Sequence, residues 1–244
     1  MQGFECGRAF DTVDSIVYHN PAGVILPVHH ADVRYIAVEG VIGAGKTSLA
    51  KMVSERLNAR LVLEQFEENP FLERFYEDSD HYAFQTQIFF LLSRYKQQQD
   101  LFQADLFHNA LVTDYIFEKD KIFAYLNLHD DELRLYETLV GSIEKNIPIP
   151  DLVVYLQSSA ERLMSNIKDR GRKYEENISE EYIKDLNEAY NYFFFRYKSA
   201  PLLIVNSTEI DFVNDKNDFE ELYNEILRPS RAAVEYYNPR SKKV

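Results

Sequence analysis

The sequence is poor in several residue types, and each shortage excludes a class of protein. Cys6 is the only cysteine among 244 residues, so an intrachain disulfide is impossible and a reducing, cytoplasmic setting is expected. No run of apolar residues reaches the roughly 18–20 that a membrane-spanning helix requires, so we expect no membrane partner. Tryptophan is absent, but seventeen tyrosines and seventeen phenylalanines can fill a core or line a pocket for a flat ligand.

Positive charge is also scarce. The chain has 27 Lys and Arg residues against 40 Asp and Glu residues, which gives a formal net charge of −13. Nucleic-acid polymers and anionic membranes bind to basic surfaces, so neither is expected as a partner. A small anion such as ATP is still compatible with this balance, because it needs only local positive charge.

The pattern of apolar residues predicts one α/β domain. We predict that residues 1–33, which show no sustained period, form a poorly ordered extension, that residues 34–228 form the domain, and that residues 229–244 form a polar, mobile tail. Short apolar strands that alternate with helices are typical of a parallel sheet covered on both faces. The five predicted strands lie at 35–39, 61–63, 110–114, 151–156 and 201–205.

A phosphate-binding motif follows the first predicted strand and opens a helix. The pattern G-x-x-x-x-G-K-[ST] is matched in full by Gly40, Val41, Ile42, Gly43, Ala44, Gly45, Lys46 and Thr47. Its glycines let successive backbone N–H groups face a phosphate at the N-terminus of the helix. Lys46 can reach the β- and γ-phosphates, and the Thr47 hydroxyl can ligate Mg²⁺. The motif predicts binding of ATP and Mg²⁺ but does not specify the acceptor of the phosphoryl group.

The motifs beyond this loop narrow the range of possible phosphoryl acceptors. In chain order they are Leu61-Val62-Leu63-Glu64, Tyr76-Glu77, Phe84-Gln85-Thr86-Gln87, Leu92-Ser93-Arg94, Arg170-Gly171-Arg172 and Tyr174-Glu175. With the phosphate loop, this order resembles the deoxynucleoside kinase family, in particular its bacterial deoxyadenosine/deoxyguanosine kinase branch, over about residues 34–227. The resemblance implies a three-layer P-loop kinase fold with a helical lid. It also implies transfer of the ATP γ-phosphoryl to the 5′-hydroxyl of a purine deoxynucleoside, in nucleotide salvage.

The resemblance also implies a role for Glu64. This residue directly ends the second predicted strand, where parallel-sheet enzymes place their ligands. It would be the general base that accepts the proton of the 5′-hydroxyl. Glu67 and Glu68 are nearby carboxylates, and the residues alone leave them open as alternatives.

The substrate residues follow from the same resemblance. Gln87 would read the nucleobase edge with its amide, although Gln85 matches instead if a gap is allowed. Gln87 and Arg94 are seven residues apart on a long helix predicted from about residue 80 to 107, so they share a face. Tyr76 and Glu175 would hold the sugar 3′-hydroxyl, and the Tyr76 ring beside the sugar would disfavour a 2′-hydroxyl.

A small basic cluster stands out in the acidic chain. Arg170 and Arg172 lie beside Lys168 and Lys173, between two predicted helices, as a mobile lid would. With Lys46, the two arginines would stabilise charge on the transferred phosphoryl group. The alternative is a helix C-terminus that simply favours cations.

The chain departs from the family pattern after the third strand. The family usually has an acidic residue, an arginine and a serine there, whereas this chain has Thr113-Asp114-Tyr115. Asp114 would serve the metal together with Thr47, and Arg94 is the candidate to replace the missing arginine at the substrate. Asn166 also stands where some members place another arginine.

Two other functions and an assembly state complete the predictions. A nucleoside-monophosphate kinase resembling thymidylate kinase would use the same loop but needs additional arginines for its acceptor. A non-catalytic structural subunit of the same fold is the third possibility. The long helix has more apolar surface than one monomer needs, so we predict a homodimer.

Overall fold

A six-stranded, entirely parallel sheet forms the centre of the described protein. The computed structural model describes residues 33–101, 108–229 and 231–239. The strands are β1 (Tyr35–Gly40), β2 (Arg60–Val62), β3 (Leu111–Thr113), β4 (Leu152–Gln157), β5 (Leu202–Asn206) and β6 (Val234–Tyr237). Their spatial order is β2-β3-β1-β4-β5-β6, so the chain crosses over between neighbouring strands. The predicted α/β fold with a parallel sheet is confirmed.

Helices pack against the sheet. The α-helices of the described residues are α1 (Lys46–Leu57), α2 (Leu72–Glu77), α3 (Ser79–Asp100), α4 (Lys119–Asn127), α5 (Asp130–Ile143), α6 (Ala160–Arg170), α7 (Glu180–Arg196) and α8 (Lys216–Ile226). None of them combines the length and the apolar composition needed to cross a bilayer.

The central strands are apolar because both of their faces are covered. All six residues of β1 are buried, and β4 is buried over Leu152–Leu156. Val38 lies in register with Val154, at the middle of the sheet. Near-continuous apolar runs of this kind are typical of parallel strands under two layers of helices. The exception in β1 is Glu39, a buried charged residue that forms part of the candidate active site.

The sixth strand corrects the predicted count of five. β6 lies in the segment predicted to be a polar tail and pairs parallel with β5, with Val234 opposite Leu202. Its residues alternate between exposed and half-buried, and Val234 and Tyr236 are exposed. The strand has only four residues and is interrupted by Glu235, which hid it from a search for apolar runs. The predicted extension falls outside the described residues except for Val33, and the domain boundaries stay a prediction.

The helical layer also differs from the sequence prediction in detail. α3 begins after Asp78, whose carboxylate accepts a hydrogen bond from His81 N, and it ends at Asp100 rather than near residue 107. Residues 102–107, the remainder of the predicted helix, lie outside the described residues. α4 was not predicted, since its sequence, KDKIFAYLN, opens with charged residues that are nevertheless buried.

The strand order brings three chain segments to one edge of the sheet. β3 lies between β1 and β2, and all three run in the same direction. Consequently the phosphate loop after β1, Glu64 after β2 and Asp114 after β3 meet at the carboxyl edge. This edge is where parallel α/β proteins bind their ligands.

Candidate active site

The phosphate loop has a backbone shape that its glycines make possible. Gly43 and Gly45 have φ angles of 86° and 91°, in the left-handed region that disfavours a side chain. A Cβ on Gly43 would also lie 2.6 Å from the backbone oxygen of Leu163. Asn166 Nδ2 donates to the oxygen of Gly43 at 2.8 Å. The loop is therefore packed closely against α6. The hydrogen bond from Asn166, which stands where some family members have an arginine, fixes its position.

Asp114 connects this loop to Glu64. Its Oδ2 accepts a hydrogen bond from Thr47 Oγ1 at 2.6 Å, and its Oδ1 accepts one from the backbone N of Glu64 at 2.7 Å. Lys46 Nζ lies over the loop and donates to the oxygen of Val41 at 3.1 Å. The Thr47 hydroxyl and the Asp114 carboxylate are hard oxygen donors beside a phosphate-binding loop. They fit Mg²⁺, which is commonly held by one or two such groups together with substrate phosphates.

The Glu64 carboxylate is paired with a cation on each of its oxygens. Oε1 contacts Arg94 through Nη2 at 2.6 Å and Nε at 2.8 Å. Oε2 accepts from Lys119 Nζ at 2.8 Å. Burial alone would raise the pKa of Glu64, but the positive charges of Lys119 and Arg94 outweigh burial and lower it well below its usual range. Glu64 is therefore a carboxylate at neutral pH, ready to accept a hydrogen bond.

The ion pairs around Glu64 extend through Arg94 to Asp120, away from the phosphate loop. Its carboxylate pairs with Arg94 Nη1, and its backbone oxygen accepts from Gln87 Nε2 at 2.8 Å. Gln87 is buried on the wall of the site, whereas Gln85 is exposed on the other side of α3. The structure therefore brings Gln87, and not Gln85, into the site.

The basic cluster is folded onto the opposite wall. Gly171 adopts a left-handed conformation with φ 61°, ends α6 and turns the chain between Arg170 and Arg172. Arg170 contacts Glu175 through Nη2 at 2.6 Å and Nε at 3.1 Å. Arg172 lies 3.6 Å from Glu175, with its guanidinium 4.5 Å from the ring centre of Phe66. Glu175 thus orients both arginines toward the space above the loop.

One cavity joins these groups. Its charged lining consists of Lys46, Glu64, Arg94, Asp114, Lys119, Arg170, Arg172 and Glu175. Its aromatic lining consists of Phe66, Phe75, Tyr76, Phe90, Phe123, Tyr174, Tyr182 and Tyr190. Thr47, Ile42 and Gln87 also border it, while the rest of the loop (Gly40, Val41, Gly43, Ala44 and Gly45) does not line it. Glu67 and Glu68, the alternatives to Glu64, are exposed and do not line the cavity.

The sequence analysis missed three charged residues of this site, namely Glu39, Lys119 and Asp120. Glu39, next to the last residue of β1, accepts from the backbone N of Gly40 at 2.9 Å and of Ile116 at 3.0 Å, and burial raises its pKa. Lys119 lies 3.8 Å from Glu39 as well as against Glu64. A carboxylate inside an apolar strand was a usable signal for Glu39. Lys119 had no such signal, since it opens a helix that was not predicted.

Comparison with known proteins agrees with this geometry. The family model for deoxynucleoside kinase matches residues 36–229. A deoxyguanosine kinase of Bacillus subtilis (strain 168) is 34% identical over 195 residues, covering 77% of this chain and 93% of that protein. A deoxyadenosine/deoxycytidine kinase of the same organism is 31% identical over 201 residues, covering 78% and 90%. The solved structure of a deoxyadenosine kinase from M. mycoides with bound dATP matches with a TM-score of 0.70 at 29% identity, covering 79% of this chain and 98% of that one.

The buried pairing of Arg94 yields a stability prediction. Arg94→Met leaves the carboxylates of Glu64 and Asp120 without their shared cation, so the free energy of unfolding should fall by about 3–5 kcal/mol at neutral pH. Arg134→Met is the control, because Arg134 pairs with Asp131 on the surface and its side chain is 70% exposed. The control should change stability by less than about 1 kcal/mol. Urea unfolding of both variants measures the difference, and equal losses would contradict the assignment.

The same pairing should depend on pH in a defined direction. The pKa of Glu64 is lower in the folded protein than in the unfolded chain. Its contribution to stability is therefore present above the ordinary pKa of about 4.3 and is lost as the pH falls toward the folded-state value. Arg94→Met should lose part of this acid dependence.

Proposed function

The chain belongs to the deoxynucleoside kinase family of ATP-dependent phosphotransferases, and we propose that its acceptor is the 5′-hydroxyl of a purine deoxynucleoside in nucleotide salvage. The observation that carries this proposal is the shared cavity. A carboxylate held ionised at Glu64 and a phosphate-binding loop at Lys46 border the same space. Asp114 bonds to both the loop and the Glu64 backbone, so the two parts are held in one arrangement.

We propose that the protein recognises its acceptor by a purine base. The relatives reported above act on deoxyguanosine or deoxyadenosine by name, and one also acts on deoxycytidine. Gln87 offers an amide that can both donate to and accept from a base edge. Phe90 and Phe123 border the cavity on α3 and α4, where flat rings can stack on a base.

Glu64 carries the central chemical role in the proposal. Its carboxylate binds the hydrogen of the 5′-hydroxyl and takes up the proton as the phosphate ester forms. Two cations make it a weak base, but phosphoryl transfer has a loose transition state in which orientation of the nucleophile matters more than its early deprotonation. When bound, ATP with Mg²⁺ supplies the phosphoryl group that the 5′-oxygen accepts.

The other residues position the two reactants. Lys46 would hold the terminal phosphates, and Thr47 and Asp114 would hold Mg²⁺, which would neutralise phosphate charge. Arg170 and Arg172, oriented by Glu175, neutralise charge that spreads onto the transferred group. Tyr76 and Glu175 bind the 3′-hydroxyl. The Tyr76 ring packs against Phe75 and Tyr182, which keeps it beside the sugar and disfavours a 2′-hydroxyl.

Turnover by the unchanged protein and by a variant that lacks the proposed catalytic base, Glu64, tests this function. We expect the protein to consume ATP only in the presence of a deoxynucleoside, fastest with purines and slowest with ribonucleosides. Glu64→Gln should lower kcat by about 10²–10⁴-fold because the amide cannot accept the proton, while the affinity for ATP stays unchanged. Glu67→Gln, an exposed neighbour outside the cavity, should retain full activity. Full turnover in Glu64→Gln would remove Glu64 from the mechanism.

We also propose a homodimer in a reducing cytoplasm. The cellular setting is supported by the single cysteine, Cys6. The dimer is supported by exposed leucines on two helices that pack together, Leu92 of α3 at 55% exposure and Leu135 of α5 at 51%. Light scattering should give twice the mass of one chain, and Leu92→Glu combined with Leu135→Glu should give monomers. A monomeric mass for the unchanged protein would refute the dimer.

A further inference from the structure

Lys119 lies beside Glu64, the proposed catalytic base, but belongs to none of the motifs that identified the site. Its Nζ is 2.8 Å from Glu64 Oε2 and 3.8 Å from Glu39 Oε1. The side chain is buried, and it lines the cavity together with Glu64. A ligand atom that binds to the Glu64 carboxylate therefore arrives within reach of the Lys119 ammonium.

All three nitrogens of Arg94 are held by carboxylates, whereas the Lys119 ammonium has a single hydrogen-bond partner within the described part of the chain. Nε and Nη2 of Arg94 contact Glu64, and Nη1 contacts Asp120. An ammonium carries three hydrogens. Among the residues that the structure describes, the Lys119 side chain makes one hydrogen bond, the one to Glu64. Lys119 can therefore bind a substrate oxygen while it keeps its contact with Glu64, whereas the guanidinium of Arg94 is fixed by its contacts to two carboxylates.

We propose that Lys119 is a catalytic residue that donates hydrogen bonds to the 5′-oxygen of the deoxynucleoside and to the phosphoryl group placed on it. This inference rests on the proposed function and assigns to Lys119 the task for which the sequence analysis named Arg94, namely to replace the arginine that the family has where this chain has Tyr115. The residue there, Tyr115, is fully buried and does not line the cavity. Lys119, in the first turn of α4, supplies the positive charge instead, and Arg94 is left as a partner of the two carboxylates.

The charges in the step support this assignment. The bond between the 5′-oxygen and the γ-phosphorus forms, the bond from that phosphorus to the β–γ bridging oxygen breaks, and the hydroxyl proton passes to Glu64 as ADP departs. The charge that the Glu64 carboxylate loses appears on the β-phosphate of the departing ADP, while the phosphoryl group brings its two negative charges to the 5′-oxygen beside Glu64. The Lys119 ammonium borders both Glu64 and the new phosphate ester, so it can keep an anionic partner throughout the transfer without leaving the cavity.

Binding of the product separates this role from a structural one. Calorimetry without ATP compares a purine deoxynucleoside with its 5′-monophosphate. Lys119→Met should weaken binding of the monophosphate by about 10–100-fold, the size of a lost charge-assisted hydrogen bond, and should weaken binding of the uncharged deoxynucleoside by much less. In turnover, kcat should fall and the KM for ATP should stay unchanged. Lys119→Arg should restore most of the preference for the monophosphate.

A matched control lies two residues further along α4. Lys121 pairs with Glu144 at 2.5 Å on the half-exposed outer side and does not line the cavity. Lys121→Met removes the same charge and should change neither the binding ratio nor kcat. An effect of equal size in both variants would show a general charge effect and overturn the proposal.

The loss of a buried cation can also prevent folding, and a second variant covers that case. Glu39→Gln removes one of the carboxylates beside Lys119, so Glu39→Gln with Lys119→Met is compared with Glu39→Gln alone. The double variant should lose the monophosphate preference that the single variant keeps. An unchanged ratio in a folded Lys119 variant would overturn the inference while leaving the kinase proposal intact. Failure of the unchanged protein to bind either ligand would overturn both.

Discussion

The site depends on a carboxylate that stays ionised inside the protein. The Glu64 side chain is only 12% exposed, and an isolated carboxylate at such a place would take up a proton because burial disfavours its charge. Arg94 on one oxygen and Lys119 on the other reverse this preference. A protonated Glu64 could not take up the proton of a substrate hydroxyl, so the two cations are a condition for the proposed chemistry.

The fold makes this concentration of charge possible. Three parallel strands end at one edge, and each delivers a different part of the site, namely the phosphate loop, Glu64 and Asp114. The two oxygens of Asp114 tie the other two parts together. Helix α3 then brings Arg94 and Gln87 across this edge, and α4 brings Lys119 and Asp120. A local change in any of these elements therefore alters the charge around Glu64.

The parts of the site that follow local rules were predictable from the sequence. The phosphate loop needs glycines at particular backbone positions, and Glu64 directly follows an apolar strand, so both could be found by pattern. Gln87 and Arg94 share a helix face because of their spacing, and both line the cavity. The structure also separates Gln87 from the exposed Gln85, which the sequence alone left open.

The missed parts depend on contacts between distant residues. Lys119 is 55 residues from Glu64, and its charge would make a buried position improbable without the two carboxylates that neutralise it. Such compensation can be seen only after the chain is folded. β6 was missed for a related reason, since an edge strand gains its place through backbone pairing with β5 rather than through apolar side chains.

The most direct measurement is a crystal structure with a purine deoxynucleoside and a non-hydrolysable ATP analogue bound together. The account predicts the 5′-oxygen at about 3 Å from a Glu64 oxygen and about 3–3.5 Å from the γ-phosphorus. It also predicts the base between the aromatic side chains that line the cavity. A deoxynucleoside bound elsewhere, or a 5′-oxygen pointing away from both Glu64 and the phosphate loop, would contradict it.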